Sequence, residues 1–214
     1  VEQNGERPLA MLQRLGLLGP RTQCVHMTDL GEQDIALLAA VGAHVVHCPQ
    51  SNMKLASGAC PVTRLLAQGI NVALGTDSAA SNNDLNLFGE MQSAALLAKL
   101  HSDDATALPA SEALAMATIN GARALGLEDS IGSLEPGKLA DLIAVDLTQP
   151  ETQPLYNPLS QLIYSCNGSQ VTHSWIGGVA VMNQRQLTHI ELPALAARTR
   201  AWQQRINGTP PGTG

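Results

Sequence analysis

Apolar residues in the first part of the chain form short solid runs that alternate with longer runs at helical spacing. Residues 8–18 (PLAMLQRLGLL) repeat at helical spacing and meet a stop at Gly19-Pro20. Thr22–His26 (TQCVH) predicts a short strand, and Thr28 or Asp29 can cap the helix Glu32–Val41, which closes at Gly42. The pattern then recurs. Ala43–Cys48 (AHVVHC) reads as a strand stopped by Pro49, followed by a loop over Gln50–Cys60 and a helix over Pro61–Gln68 with Pro at its first position. A third strand, Asn71–Gly75, leads through a loop, Thr76–Asp84, to helices over Leu85–Leu100 and Ser111–Leu125, with Ser111 as a cap. Repeated strand-loop-helix units imply parallel strands with right-handed crossovers. These strands are apolar on both faces, as buried parallel strands are. A doubly wound sheet and a TIM-type barrel both accommodate the pattern, although a closed barrel takes about eight strands.

Beyond residue 130 the texture changes to short β-rich runs: Asp141–Val145, Val171–Ile176 and Val179–Met182. Glu135-Pro136-Gly137-Lys138 has the Pro-Gly order of a type II turn, and Gly177-Gly178 between two β runs signals a hairpin. Residues 191–206 predict a terminal helix, and 207–214 a loose tail. The expected organisation is therefore an α/β unit over 1–130, a small antiparallel β domain over 131–190, and a terminal helix and tail over 191–214.

Composition narrows the function. Hydrophobic residues make up 44% of the 214 and charged residues 14%, which supports a packed core and excludes a disordered chain. A formal net charge of −6, no basic run and only 2% aromatics disfavour nucleic acid as a partner. No apolar stretch reaches the roughly 18 residues of a membrane helix, and no basic-then-apolar leader opens the chain. Val1-Glu2-Gln3-Asn4-Gly5 lacks a Met and reads like the interior of a longer protein. Cys24, Cys48, Cys60 and Cys166 form no C-x-x-C pair, so reduced buried thiols and a cytoplasmic location are expected. Leu/Ala-rich helix faces of low charge favour a homo-oligomer.

Candidate chemistry gathers at one edge. His26 closes the first strand, His47 closes the second, and Asp77 follows the third. In a parallel α/β fold the strands' carboxyl ends form the ligand-facing rim. Two imidazoles and a carboxylate there suit a metal site or an acid-base site. Each residue alone has an ordinary explanation, as a packing histidine or a turn-forming aspartate. Three strand ends in register favour a site. His44 and His47 form H-x-x-H, but on a strand their side chains fall on opposite faces. The polar stretches Gln50–Gly58 and Gly75–Leu87 exceed the usual connection of about two to six residues and are placed where such folds keep specificity residues.

The motifs VHMTDL (25–30), HCPQSNMKLASG (47–58) and GTDSAASNND (75–84) resemble the last three barrel strands of the amidohydrolase superfamily. IGSLEPGKLADLIAVDL (131–147) resembles the segment by which that superfamily leaves its barrel and enters a β-sandwich. The subgroup most alike holds chlorohydrolases, guanine deaminases and 5-methylthioadenosine/S-adenosylhomocysteine deaminases, the last being most similar in SNMKLASG and TDSAASNND. The resemblance implies the C-terminal part of a TIM-type (β/α)8 barrel, carrying strands six to eight, plus a small β-sandwich and a terminal helix.

It also implies roles. Asp77 would bind the metal and take a proton from the attacking water. His26 would contact the zinc-bound water in mononuclear members or the metal itself in binuclear ones. Ser81 would lie near the substrate, and His47 would shape the site from behind. One zinc ion per site is implied, with iron as an alternative; zinc lowers the pKa of bound water towards about 7. The reaction would be hydrolytic deamination of an adenine-type nucleoside, a small-molecule substrate. The alternatives are hydrolysis of another heteroaromatic ring (triazine, guanine, cytosine) or a non-catalytic relic. The family's H-x-H pair, its further zinc-binding histidine and its proton-shuttling glutamate do not occur in this sequence. The expectation is that the N-terminal half of the same protein is the missing partner, and that the 214 residues alone neither fold stably nor catalyse.

Overall fold

The computed structural model describes residues 5–208; most of the Val1–Gly5 opening and most of the expected tail lie outside them. Helix α1 (Pro8–Arg14) leads to β1 (Gln23–Val25), α2 (Glu32–Val41), β2 (His44–His47), α3 (Pro49–Lys54), α4 (Val62–Ala67) and β3 (Val72–Leu74). The strands are parallel in the order β1-β2-β3, with Cys24 beside Val45 and Val45 beside Val72. Helices α5 (Ala79–Asn82), α6 (Leu87–Ser102), α7 (Ala110–Ala117) and α8 (Ile119–Leu125) follow. Val45 and Val72 of the sheet, Leu38 of α2, Leu65 of α4 and Ala94 and Ala95 of α6 are all fully buried in one core. Each buried Leu or Val side chain contributes about 1.5–3 kcal/mol, so this small sheet is anchored through its helices.

Several boundaries differ from the expected ones. Helix α1 ends at Arg14, because Gly16 at φ +70 turns the chain before Gly19-Pro20 is reached. Neither Thr28 nor Asp29 caps α2. The cap is Gly31, whose N–H donates to Asp34 Oδ2 (2.8 Å), and Arg7 Nε pairs with the same oxygen at 2.6 Å. Pro61 is the cap of α4 rather than its first residue. Helix α6 begins at Leu87, since Asn86 accepts the N–H of Phe88 (3.0 Å).

The expected helix Ser111–Leu125 is two helices. It breaks at Thr118 (φ −125, ψ −98) and starts from Pro109 with no side-chain cap from Ser111. Thr118 Oγ1 donates back to Leu114 O (2.7 Å), and Asn120 Nδ2 donates to Val72 O (3.0 Å), which redirects α8 onto β3. Both expected loops contain helix: α3 starts at Pro49 and runs into Gln50–Cys60, and α5 lies within Thr76–Asp84.

In the remainder, β4 (Leu142–Val145), α9 (Pro158–Tyr164), β5 (Val171–Ile176), β6 (Val179–Asn183) and β7 (Gln186–Leu187) precede α10 (Leu192–Gly208). The strands form one antiparallel sheet in the order β4-β5-β6-β7. Gly177 and Gly178, both at positive φ, make the hairpin between β5 and β6. Helix α9 has no counterpart in the predicted elements, yet Asn157 accepts from Leu159 and Ser160 N–H groups with Pro158 at the first position, a legible start signal. No residue of α10 is buried.

Candidate active site

The parallel register brings the carboxyl ends of β1, β2 and β3 to one rim. His26 directly follows β1, and its N–H donates to Val46 O (2.9 Å). His47 is the last residue of β2, and its carbonyl accepts the Gly75 N–H (3.0 Å) beyond β3. Asp77 comes just after. His26 (φ 71), Met27 (φ 47) and Asp77 (φ 61) all adopt the left-handed region. For residues other than glycine this conformation costs of order 1–3 kcal/mol each and persists only where the surroundings enforce it.

Asp77 is the most tightly held group. Its Oδ2 accepts from Ser51 Oγ and from Ser81 Oγ, both at 2.7 Å, and its Oδ1 accepts the Ser78 N–H at 2.7 Å. Those bonds, the Ser51 hydroxyl foremost, bring its pKa down to about 2. The carboxylate is therefore ionised across the neutral range. His26 Nε2 stands 3.8 Å from Asp77 Oδ2, too far for a direct hydrogen bond. On the other side of the ring, His26 Nδ1 lies 2.9 Å from Asn52 Oδ1. That contact directs Nδ1–H to the Asn52 oxygen and turns Nε2 towards the carboxylate. His47 is 1% exposed. Burial first, and repulsion from His26 second, push its pKa down to about 4. His47 Nδ1 and Asn52 Nδ2 are buried with no hydrogen-bond partner among the described residues.

His26, His47 and Asp77, grouped from their strand ends, thus stand at one rim, and Ser81 meets Asp77 there. The structure adds two residues that the sequence argument did not single out: Ser51, wholly buried, and Asn52, 1% exposed. Their signal was the polar pair inside HCPQSNMKLASG. Read as a loop, it gave no face; as the helix α3 it turns both side chains inward. His44 lies elsewhere, with its ring between Pro20 O (3.1 Å) and Asn71 Nδ2 (3.0 Å).

The fit to zinc is partial. An ionised carboxylate and an imidazole oriented through its far nitrogen are the donor types zinc takes. Catalytic zinc usually takes about three protein ligands, and among the described residues no group of three or more His, Cys, Asp or Glu could hold a metal. The donors present fit as part, not the whole, of a catalytic zinc ligand set. A cavity of about 610 Å³ lies apart from the rim, between α6, α7 and the antiparallel sheet, lined by Phe88, Met91, Leu142 and Trp175 among others.

Known proteins are similar to nearly the whole chain. A 5-methylthioadenosine/S-adenosylhomocysteine deaminase of Teredinibacter turnerae is 53% identical over 206 residues, 96% of this chain and 47% of that protein. Its counterpart in Saccharophagus degradans is 50% identical over 94% of this chain and 45% of its own length. The chain therefore spans under half the length of these relatives. Among solved structures, an adenosine deaminase from Xanthomonas campestris with bound zinc superimposes with a TM-score of 0.96 at 53% identity, covering 98% of this chain and 48% of that one. Atrazine chlorohydrolase from Arthrobacter aurescens, complexed with zinc, gives 0.88 at 26% identity over 94% of this chain and 44% of its own. The family described as the amidohydrolase family matches residues 2–181, the stretch that holds every rim residue described above, and the chain belongs to that family.

Proposed function

We propose that this chain is the C-terminal half of a zinc-dependent hydrolase that deaminates adenine-type nucleosides, 5-methylthioadenosine and S-adenosylhomocysteine foremost. What carries the reading is identity of about half over more than nine-tenths of the chain to relatives named for that reaction. The triazine-hydrolysing neighbours support the alternative of another heteroaromatic ring, at about half that identity.

In this reading, residues 1–130 supply strands six to eight of a (β/α)8 barrel, 131–190 supply one layer of a β-sandwich, and 191–214 a terminal helix and tail. The missing partner is the N-terminal half of the same protein, which brings the remaining zinc ligands and the second sandwich layer. A single zinc per site, with iron as the alternative metal, would be held by Asp77 together with those ligands. When bound it supplies Lewis acidity that makes water nucleophilic near neutral pH.

The chain's own groups supply part of the remaining chemistry, and the proton for the ring nitrogen comes from the upstream half. Asp77, ionised and aimed by two serine hydroxyls, accepts the proton that the attacking water gives up. His26 presents Nε2 to the same space, where it orients the water and the reacting amidine carbon. Ser81 lies close enough to meet the substrate, and His47 packs behind the rim as a neutral imidazole. The assembled enzyme is read as a cytoplasmic homo-oligomer, and the 214 residues alone as inactive.

The test is a deamination assay with S-adenosylhomocysteine, 5-methylthioadenosine, guanine and atrazine. It is run on this chain alone and on this chain joined to the upstream half. Turnover of the two nucleosides by the joined protein only is the expected result. Faster turnover of guanine or atrazine, or equal activity of the isolated chain, would overturn it.

A further inference from the structure

Glu90 on α6 is completely buried, and no step assigned above uses it. Burying a carboxylate costs several kcal/mol unless donors compensate, so what it holds identifies its purpose. Glu90 Oε2 accepts the backbone N–H of Gln50 (3.2 Å), and Glu90 Oε1 accepts from the side-chain amide of Asn82. Gln50 immediately precedes Ser51, and Asn82 immediately follows Ser81. These are the two serines whose hydroxyls stand 2.7 Å from Asp77 Oδ2.

The helices concerned cannot hold themselves. Helix α3 has 6 residues and α5 has 4, far below the length at which a helix is stable alone. The Gln50 N–H belongs to the first turn of α3, where no intrahelical acceptor exists. Asn82 has its orientation fixed, because its Oδ1 accepts the Leu85 N–H (3.0 Å) and so its amide nitrogen faces Glu90. Both Glu90 oxygens therefore meet donors, and these two bonds oppose the burial that raises its pKa. The packing is close as well. Gln50 Nε2 donates to Ser93 Oγ of α6 (3.1 Å), and a Cβ on Gly89 would stand 2.7 Å from that nitrogen.

We propose that Glu90 is a positioning residue that fixes α3 and α5 relative to each other and thereby aims the Asp77 carboxylate through Ser51 and Ser81. This rests on the reading of Asp77 as the catalytic carboxylate. The substitution Glu90→Gln puts an amide N–H against one of two donors and breaks one arm.

The experiment measures kcat and KM for S-adenosylhomocysteine in the zinc-loaded, assembled enzyme, for Glu90→Gln in the native background and again in a Ser51→Ala/Ser81→Ala background. It adds a crystal structure of Glu90→Gln. The expected result is a kcat lowered about 10- to 100-fold with KM within about twofold in the native background. In the serine-free background Glu90→Gln has little further effect, because residues acting as a unit are non-additive. In the crystal, Asp77 Oδ2 moves from its serine partners by more than the ~0.5 Å that a working site tolerates.

Equal loss in both backgrounds, or an unmoved Asp77, would overturn the proposal and leave Glu90 as a structural residue alone. If the native protein does not deaminate the nucleoside, the reading of its function fails, while the crystal structure still decides whether Glu90 aims Asp77. Should Glu90→Gln not fold, Asn82→Ala breaks the α5 arm, together with the Leu85 N–H bond, leaves the α3 arm intact and is held to the same outcomes.

Discussion

His26 and Asp77 face each other across the rim with Nε2 3.8 Å from Oδ2, and each is held in a left-handed backbone conformation. The strain is shared by the two residues proposed to meet the reacting water, on separate connections, and each is fixed by bonds to another strand or helix. Such strain points to a site in which aim matters more than stability.

Replacing Asp77 by Ala removes the proposed proton acceptor and the centre of the serine clamp. Activity of the assembled enzyme should fall by about 10²–10⁴-fold or more, with far-UV circular dichroism unchanged. A variant with near-native turnover would refute the assignment.

Asn52→Ala takes away the acceptor that orients the His26 ring. The tautomer and rotamer of His26 are then no longer fixed, and a loss of about 10–100-fold in activity or metal affinity is expected. ¹⁵N chemical shifts of the His26 ring should show the protonated Nδ1 in the native protein and a tautomer mixture in the variant.

His47 gives a pH dependence of stability. Its folded pKa, about 4, lies below the ordinary value of 6.5 because of burial. Between those values the unfolded chain binds more protons than the folded one, so stability falls as pH drops from 6.5 towards 4 and the penalty is complete below. The full span is of the order of 3 kcal/mol. Urea denaturation at pH 7 and pH 5 should show the loss in the native protein, and a much smaller one in His47→Asn.

Zinc should bind the isolated chain weakly, since among the described residues only Asp77 and His26 offer donors at the rim. Competition against a chelator should show tight, near-stoichiometric zinc only when the upstream half is present. Stripping zinc from the joined protein should abolish turnover, and re-adding it should restore it. Tight zinc on this chain alone would mean that a ligand set exists without the other half.

Much of the rim was legible in the sequence for a topological reason. Parallel strands place their ends together, so His26, His47 and Asp77 could be grouped from strand ends alone. The left-handed backbone at His26 and Asp77 was not legible, because neither residue is the glycine that normally marks it. Ser51 and Asn52 were hidden by composition: PQSNMK is polar enough to pass for a loop, and its packing against α5 and α6 holds it as a helix. The capping of α2 was missed because the acceptor, Asp34, lies inside the helix and is fixed by Arg7, distant in sequence. Thr118 ended a helix that looked continuous because its side chain turned back on Leu114, a choice that helical periodicity does not record.

The register that sets Val45 beside Val72 and His47 beside Leu74 also determines where the chain can be lengthened. A residue inserted within β2 would exchange its faces, carrying His47 out of the interior and breaking the seat of His26 on Val46. A residue inserted after Asn83, on the exposed stretch before α6, would leave every strand end where it is. Evolutionary or engineered change in what the rim receives is thus channelled into the connections, while the strands beneath them admit substitution but not insertion.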